Sequence, residues 1–416
     1  MTSFDHLHTR REFLRNATLL ALAGTAPAFL LRSARAAEAG ARGEPVLVVV
    51  QLAGGNDGLN TVVPFTNDEY FRRRPRLAIR QPGELIRLDD HTAFHHSLQA
   101  LMPWMERGQL AVVQGVGYPN PDRSHFRSTE IWETAVDSHQ SSTTGWVGRY
   151  LDATCAGKPH PDPTAALAIG TERPQSFQGH LGLGVAMSQP EAFGYVEGLG
   201  GDDTGNFRHL NETASAASTG SDSNLDFLRQ TSLNATMSAS RIRGAARRSG
   251  QQVSYPASRI GQQLRIVARM IGGGMPTRVY YVSHGGFDTH ANQAGTHTNL
   301  LRQMADAIAA FQRDLEAMNE ADRVVIATFS EFGRRVAENA SGGTDHGTAA
   351  PMMLMGRHVR GGLHGQAPSL TSLDGGDLRH TVDFRQVYAS LLGGWLNAPV
   401  SEVLGRPFEA VPGLIA

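Results

Sequence analysis

The pattern of hydrophobic positions along the chain predicts short buried strands separated by amphipathic helices. Residues 45–52 (PVLVVVQL) form a nearly continuous apolar, β-branched run, which is typical of a central strand buried on both faces. Strands that alternate with helices indicate an α/β fold with a mostly parallel sheet. Similar short runs recur at 110–116, 165–169, 278–282, 323–329 and 351–355.

Three segments have the periodicity of helices. The clearest is 292–318, where apolar residues recur at steps of three and four. A second helix is predicted over 260–271 and a third over 384–395. Residues 198–250 differ, because small polar residues give way to an Arg-rich, weakly apolar stretch. We interpret that segment as an insertion or cap over the sheet.

The N-terminus resembles a twin-arginine export signal. Arg10 and Arg11 precede Glu-Phe-Leu, an apolar run follows at 17–31, and Ala34-Arg35-Ala36 offers a cleavage site. The apolar run is shorter than the roughly 20 residues that span a bilayer, so no stable membrane insertion is expected. We therefore predict a signal peptide at 1–36, recognition by the twin-arginine translocon, and a periplasmic or secreted domain at 37–416.

Composition and missing motifs exclude several classes of function. The formal net charge is −1, from 38 basic and 39 acidic residues, which gives no reason to expect nucleic acid as a partner. The chain has neither the Gly-x-Ser-x-Gly elbow of α/β-hydrolases nor a phosphate-binding P-loop. An esterase of the α/β-hydrolase type and a nucleoside triphosphatase are thus disfavoured.

Acidic residues and histidines cluster directly after the predicted strands. The carboxyl ends of parallel strands share one edge of a sheet, where ligands bind, so these side chains are expected to meet. Carboxylates and imidazoles together suit Zn²⁺, and also Mn²⁺ or Fe. Taken singly, each residue would more often be a turn residue or a hydrogen-bonded histidine, but several clusters after separate strands favour a metal site. The candidates are Asp57, Asp288, His290, Asp345, His346 and His364.

A candidate nucleophile follows the strand predicted at 110–116. Ser124 stands where a helix is expected to begin, and a serine there is either an N-cap or a catalytic hydroxyl. Arg123 and Arg127 flank Ser124, and guanidinium groups suit an oxyanion. Arg127 lies one helical turn after Ser124, so we choose it as the group that stabilises the transition state.

Several of these motifs together resemble the DUF1501 family of uncharacterised exported proteins. They are LVVVQLAGGNDGLNTVVP, YPNPDRSHFRSTEIWET, YYVSHGGFDTHANQ, FSEFGRR and TDHG. That family is similar to the alkaline phosphatase and sulfatase superfamily. The resemblance implies a doubly wound α/β fold of the alkaline-phosphatase type, with a two-metal site beside a nucleophile.

The resemblance also implies a role for each candidate residue. Asp57, Asp345 and His346 would bind one metal beside Ser124, the nucleophile. A second metal would be bound by Asp288, His290 and His364. His284 is an alternative to His290, and His380 is an alternative to His364. The expected cofactor is a divalent metal, with Zn²⁺ first and Mn²⁺, Mg²⁺ or Ca²⁺ as alternatives.

Two functions remain open from the sequence. The first is a metal-dependent hydrolase or transferase that acts on phosphate or sulfate esters outside the cytoplasm. The second is a non-enzymatic binding or assembly protein that retains the fold. Neither Cys155 nor Ser124 lies in the sequence context that sulfatases use to make formylglycine, so we expect no such residue.

Overall fold

Buried β-branched runs form the central strands, as the sequence predicts. The computed structural model describes residues 43–155, 162–182, 184–191, 193, 238–248 and 253–416. The strands are β1 (Val46–Ala53), β2 (Val62–Val63), β3 (Leu85–Arg87), β4 (Ala93–His95), β5 (Leu110–Gly117), β6 (Ala166–Ile169), β7 (Val185–Met187), β8 (Val279–Gly285), β9 (Val324–Phe329), β10 (Ala350–Met355), β11 (Gly362–His364), β12 (Leu373–Asp374), β13 (Asp377–Leu378) and β14 (Val382–Asp383).

The helices that the periodicity predicts are also present. The predicted helix at 292–318 is α6, and the one at 260–271 is α5. The third begins as α7 and continues as a π-helical turn over Ser390–Trp395. The helices are α1 (Asp68–Arg73), α2 (Met102–Glu106), α3 (His125–Thr134), α4 (Trp146–Thr154), α5 (Arg259–Gly272), α6 (Gln293–Ala317), α7 (Phe384–Ala389) and α8 (Val400–Leu404).

The main sheet is mixed but mostly parallel. Its order is β11-β5-β10-β9-β1-β8-β6-β7, with β14 paired to β5. Among the described strands of this sheet, β10 alone runs antiparallel, to both β5 and β9. The parallel neighbours β8, β1 and β9 form its centre. Their carboxyl ends therefore lie side by side, as the sequence predicts.

Helices cover both faces of this sheet, and β1 shows why. Val48 and Val50 pack into the core below α5 and α6, whereas Leu47 and Val49 pack into the core below α3, α4 and α7. Successive side chains of a strand point to opposite faces, so a strand between two helical layers must be apolar at every position. Each buried aliphatic side chain contributes about 1.5–3 kcal/mol to stability.

Part of the predicted organisation lies outside the described residues. This applies to the export signal at 1–36 and to most of the insertion predicted at 198–250, of which residues 238–248 are described and helical. In the part of the chain that the structure describes, no helix is long and apolar enough to cross a membrane.

Candidate metal centre

Three histidines and one carboxylate meet at the carboxyl edge of β1, β8 and β9. We call His125, Asp288, His290 and His346 the four-residue cluster. Asp288 and His290 belong to the loop after β8, His346 to the loop before β10, and His125 to the first turn of α3. Helix, loops and strand ends therefore bring together residues that are far apart in sequence.

The donor atoms of this cluster are close to one another. The Nε2 atoms of His290 and His346 are 2.9 Å apart, and each lies 3.0 Å from Oδ1 of Asp288. Nε2 of His125 lies 3.5 Å from the other carboxylate oxygen, Oδ2 of Asp288. His125, Asp288 and His346 each offer a ligand atom within 4.8 Å of the other two.

The outer nitrogens of the three imidazoles determine where their protons lie. Nδ1 of His346 donates to the Arg123 carbonyl at 2.8 Å, and Nδ1 of His125 donates to Oε1 of Glu331 at 2.9 Å. Nδ1 of His290 faces Oδ1 of Asp345 at 3.3 Å. In neutral imidazoles the Nε2 lone pairs then point inward. Several lone pairs and a carboxylate at this separation repel one another unless a cation lies between them.

The electrostatics keep the Asp288 carboxylate charged. Burial by itself would raise its pKa, but the Arg334 guanidinium, through its hydrogen bond and its charge, lowers the pKa to about 2. Nη2 of Arg334 lies 2.7 Å from Oδ1 of Asp288, and the Arg334 side chain is fully buried. A carboxylate that stays ionised at neutral pH and below is suited to cation binding.

Asp345 lies behind His290. Its Oδ1 accepts a hydrogen bond from the Asn339 amide at 3.0 Å as well as facing His290. The Asn339 bond, despite partial burial, and the nearby His290 lower the pKa of Asp345. Such outer carboxylates orient the histidines of metal sites. The sequence predicted Asp345 as a direct ligand, whereas the structure places it as a partner of His290.

Asp57 does not join the cluster. Its side chain is fully buried, and its Oδ2 is paired with Nη1 of Arg74 at 2.6 Å and with the Gln293 amide. Burial raises the pKa of Asp57, but the charge and hydrogen bond of Arg74, together with His297 and Gln293, outweigh that effect and lower the pKa. The position that the family resemblance gives to a metal ion is therefore next to a buried guanidinium.

The structure does not bring His364 to the cluster. His364 ends β11, and its Nε2 contacts the Arg360 carbonyl at 2.7 Å. β11 is three strands away from β9 in the sheet order, about 14 Å at the usual strand spacing. The alternative His284 is buried, and its Nε2 contacts the Leu300 carbonyl at 3.0 Å. The alternative His380 lies against Gly117 at the end of β5, with Asp383 and Arg385 as its charged neighbours.

Ser124 stands where α3 begins, as the sequence predicts. Ser124 occupies the N-cap position of α3 but makes no side-chain capping bond, and the residue is exposed. Arg127 is turned to other partners, since it pairs with Glu130 at 2.6 Å and donates to the Ser138 carbonyl at 2.9 Å. Arg127 is therefore not positioned as we expected.

Sequence reasoning missed His125 and Glu331. His125 directly follows Ser124, and its place in the first turn of a helix at the sheet edge was a usable signal. Glu331 follows β9, and its Oε1 also accepts a hydrogen bond from the Gly54 amide at 2.7 Å. Glu331 thus ties the end of β1 to α3 and orients His125.

The sequence of this α/β domain also matches a known protein family. The chain belongs to the DUF1501 family, described as proteins of unknown function, over residues 45–413. Among curated proteins, none matches the chain.

Solved structures resemble the chain only distantly. One is the PsFucS1 sulfatase from Pseudoalteromonas sp. (TM-score 0.37, 10% identity, 92% of this chain and 74% of that one). A second is the C-terminal periplasmic domain of EcEptC from Escherichia coli in complex with Zn (TM-score 0.32, 10% identity, 75% of this chain and 73% of that one). A third is alkaline phosphatase from the Antarctic bacterium TAB5 (TM-score 0.33, 9% identity, 77% of this chain and 94% of that one). Similarity at this level carries no weight for the chemistry, which has to follow from the residues of this chain.

Proposed function

We propose that this chain is an exported, metal-dependent hydrolase or transferase that acts on phosphate or sulfate esters. The observation that supports it most is the four-residue cluster. Its inward nitrogens and carboxylate are backed by outward partners that fix the imidazole protons. That arrangement is the usual one around a bound transition-metal ion.

The donor set fits Zn²⁺ better than the other candidate ions. Three imidazoles and one carboxylate are typical of Zn²⁺, and of Mn²⁺ or Fe with less preference, whereas Mg²⁺ and Ca²⁺ prefer oxygen ligands. Asp288, His290 and His346 would hold the ion, with His125 as the fourth ligand. A cation there would lower the pKa of a nearby hydroxyl and polarise an ester oxygen.

The donors support one ion rather than two. Arg74 already pairs with Asp57, and both side chains are fully buried. A second cation next to a buried guanidinium would meet strong charge repulsion. Asp57 therefore supports the site through its ion pair with Arg74, and one cation would bind at the four-residue cluster.

Ser124 would supply the attacking oxygen. Its hydroxyl is not engaged in capping, and the adjacent residue is His125 of the cluster. Oγ of Ser124 would bond to phosphorus or sulfur as the bond to the ester oxygen breaks, and the serine proton would leave on the released alcohol. Water then frees the transferred group in a hydrolase, and a second alcohol does so in a transferase.

Replacement of Ser124 tests this reaction. We expect Ser124→Ala to fold and bind the cation, yet to lose turnover of aryl phosphate or aryl sulfate esters by about 10³-fold or more, because the attacking oxygen is gone. The measurement is a rate assay with both ester classes, alongside metal analysis and thermal melting of the mature protein.

Ser141→Ala is the matched control, since Ser141 is also exposed and precedes a different helix. If Ser124→Ala keeps nearly the wild-type rate, the covalent step is wrong. If the wild-type protein binds the cation but turns over neither ester class, the result favours the alternative function, a binding or assembly protein.

A further inference from the structure

Two arginines at the edge of the four-residue cluster share one buried carboxylate. Arg123 pairs with Oδ2 of Asp377, and Nε of Arg335 lies 3.5 Å from Oδ1 of the same residue. The Asp377 side chain is fully buried, whereas those of Arg123 and Arg335 are 45% and 37% exposed. Asp377 therefore anchors two guanidinium groups that reach into solvent.

This arrangement places two positive charges on one carboxylate. Among the described residues, Asp377 is the one carboxylate that is ion-paired with either guanidinium. Nε and Nη1 of Arg123 have no hydrogen-bond acceptor within that same part of the chain, and they are donors available to a ligand. One arginine is enough to neutralise one buried carboxylate. The second guanidinium group therefore carries a positive charge that the ion pair does not need.

The backbones of both arginines are hydrogen-bonded to a residue in or next to the four-residue cluster. The Arg123 carbonyl accepts from Nδ1 of His346 at 2.8 Å, and the Arg335 amide donates to the Asp345 carbonyl at 3.0 Å. The guanidinium pair thus adjoins the candidate cation site at the carboxyl edge of the sheet, through these two hydrogen bonds.

We propose that Arg123 and Arg335 form a subsite for a second anionic group of the substrate, a phosphate or sulfate next to the group that is transferred. This inference rests on the proposed function, because it extends the same site. Guanidinium groups match tetrahedral oxyanions in geometry and keep their charge at all relevant pH values. The substrate class that follows is a multiply charged ester rather than a singly charged one.

Binding of inorganic phosphate tests the subsite separately from the metal. Calorimetry on the mature protein, with Zn²⁺ and then with a chelator, measures affinity for phosphate in both states. We expect phosphate binding to persist after chelation. Arg335→Gln should weaken it about tenfold or more, as expected for the loss of a charge-assisted hydrogen bond.

Arg335→Gln is the primary variant because its 3.5 Å contact is the weaker one, and Arg123 still pairs with Asp377 when it is lost. Arg335→Lys should keep part of the affinity, and Arg302→Gln, an exposed helical arginine, should keep all of it. Phosphate binding that vanishes on chelation, or that is equal in wild type and Arg335→Gln, overturns the subsite. Metal binding in the same samples shows whether the proposed metal centre stands independently.

Discussion

The guanidinium of Arg74 is fully buried, and its donors are satisfied inside the protein. They bind the Asp57 carboxylate at 2.6 Å, the Asn60 side chain at 2.9 Å and the carbonyls of Arg335 and Val336. Removing one partner of a buried ion pair costs about 3–5 kcal/mol, because the other charge stays buried and unpaired. At the scale of single residues, Asp57 stabilises the fold while it is paired with Arg74, and it could bind a metal ion only if Arg74 moved away.

His297 gives the protein a stability that depends on pH. It is buried in α6 and bonds through Nε2 to Oδ1 of Asn56 at 3.0 Å. Burial lowers its pKa to about 4, from about 6.5 in the unfolded chain. Between those values the unfolded state binds more protons, so the free energy of unfolding should fall as the pH drops from about 6.5 to 4, by on the order of 3 kcal/mol.

Chemical denaturation at several pH values measures the free energy of unfolding. A chelator is present so that no bound cation contributes to it. His297→Gln keeps a donor for Asn56 but cannot be protonated, so the free energy of unfolding should depend less on pH. Histidines whose pKa burial also lowers would contribute the remaining dependence in that window: His95, with a pKa of about 3, and also His284 and His380. His180→Gln, an exposed control, should behave as wild type. Identical slopes for wild type and His297→Gln would contradict the assignment.

The central strands and the two longest helices were predictable, and so were three of the four residues at the candidate metal centre. Asp288, His290 and His346 follow from two simple facts, that they come after strands and that parallel strands end at one edge. The same rule predicted His364 as a ligand, but the structure places His364 away from the cluster. The sequence does not reveal that β11 lies at the edge of the sheet. Arg74 was not predictable either, since its contact with Asp57 depends on the path of the intervening loop.

At the scale of elements, Gly54 lets the end of β1 approach the loop after β8. Its φ is +117°, and a Cβ at this position would lie 2.4 Å from the Asp288 amide nitrogen. Gly54→Ala should therefore displace Asp288 and weaken cation binding, and it should also lower the melting temperature, because the backbone conformation disfavours any Cβ.

Competition with a metal indicator measures the first effect, and thermal melting measures the second. Gly83→Ala is the matched control, since nothing lies within 4 Å of a Cβ there and its φ is not positive. We expect Gly83→Ala to bind the cation as wild type does. A Gly54→Ala protein with unchanged affinity would mean that Asp288 is not a ligand, or that the loop moves freely.

At the scale of the whole molecule, the candidate ion would connect three separate parts of the chain: α3, the loop after β8 and the loop before β10. A cation that binds only the folded state stabilises it by mass action, by about 2.7 kcal/mol at a hundredfold excess over Kd. Elemental analysis should thus find one ion per chain, and chelation should lower the melting temperature.

The variants distinguish this arrangement from the two-ion site that the family resemblance implies. His290→Ala with His346→Ala should abolish binding and the stabilisation by metal, because two of the inward donors are lost. Asp57→Asn should keep the ion while lowering the melting temperature, because it leaves the Arg74 charge buried without its carboxylate. Two ions in the wild type, with one lost in Asp57→Asn, would show instead that Asp57 is a ligand and that Arg74 moves away when metal binds.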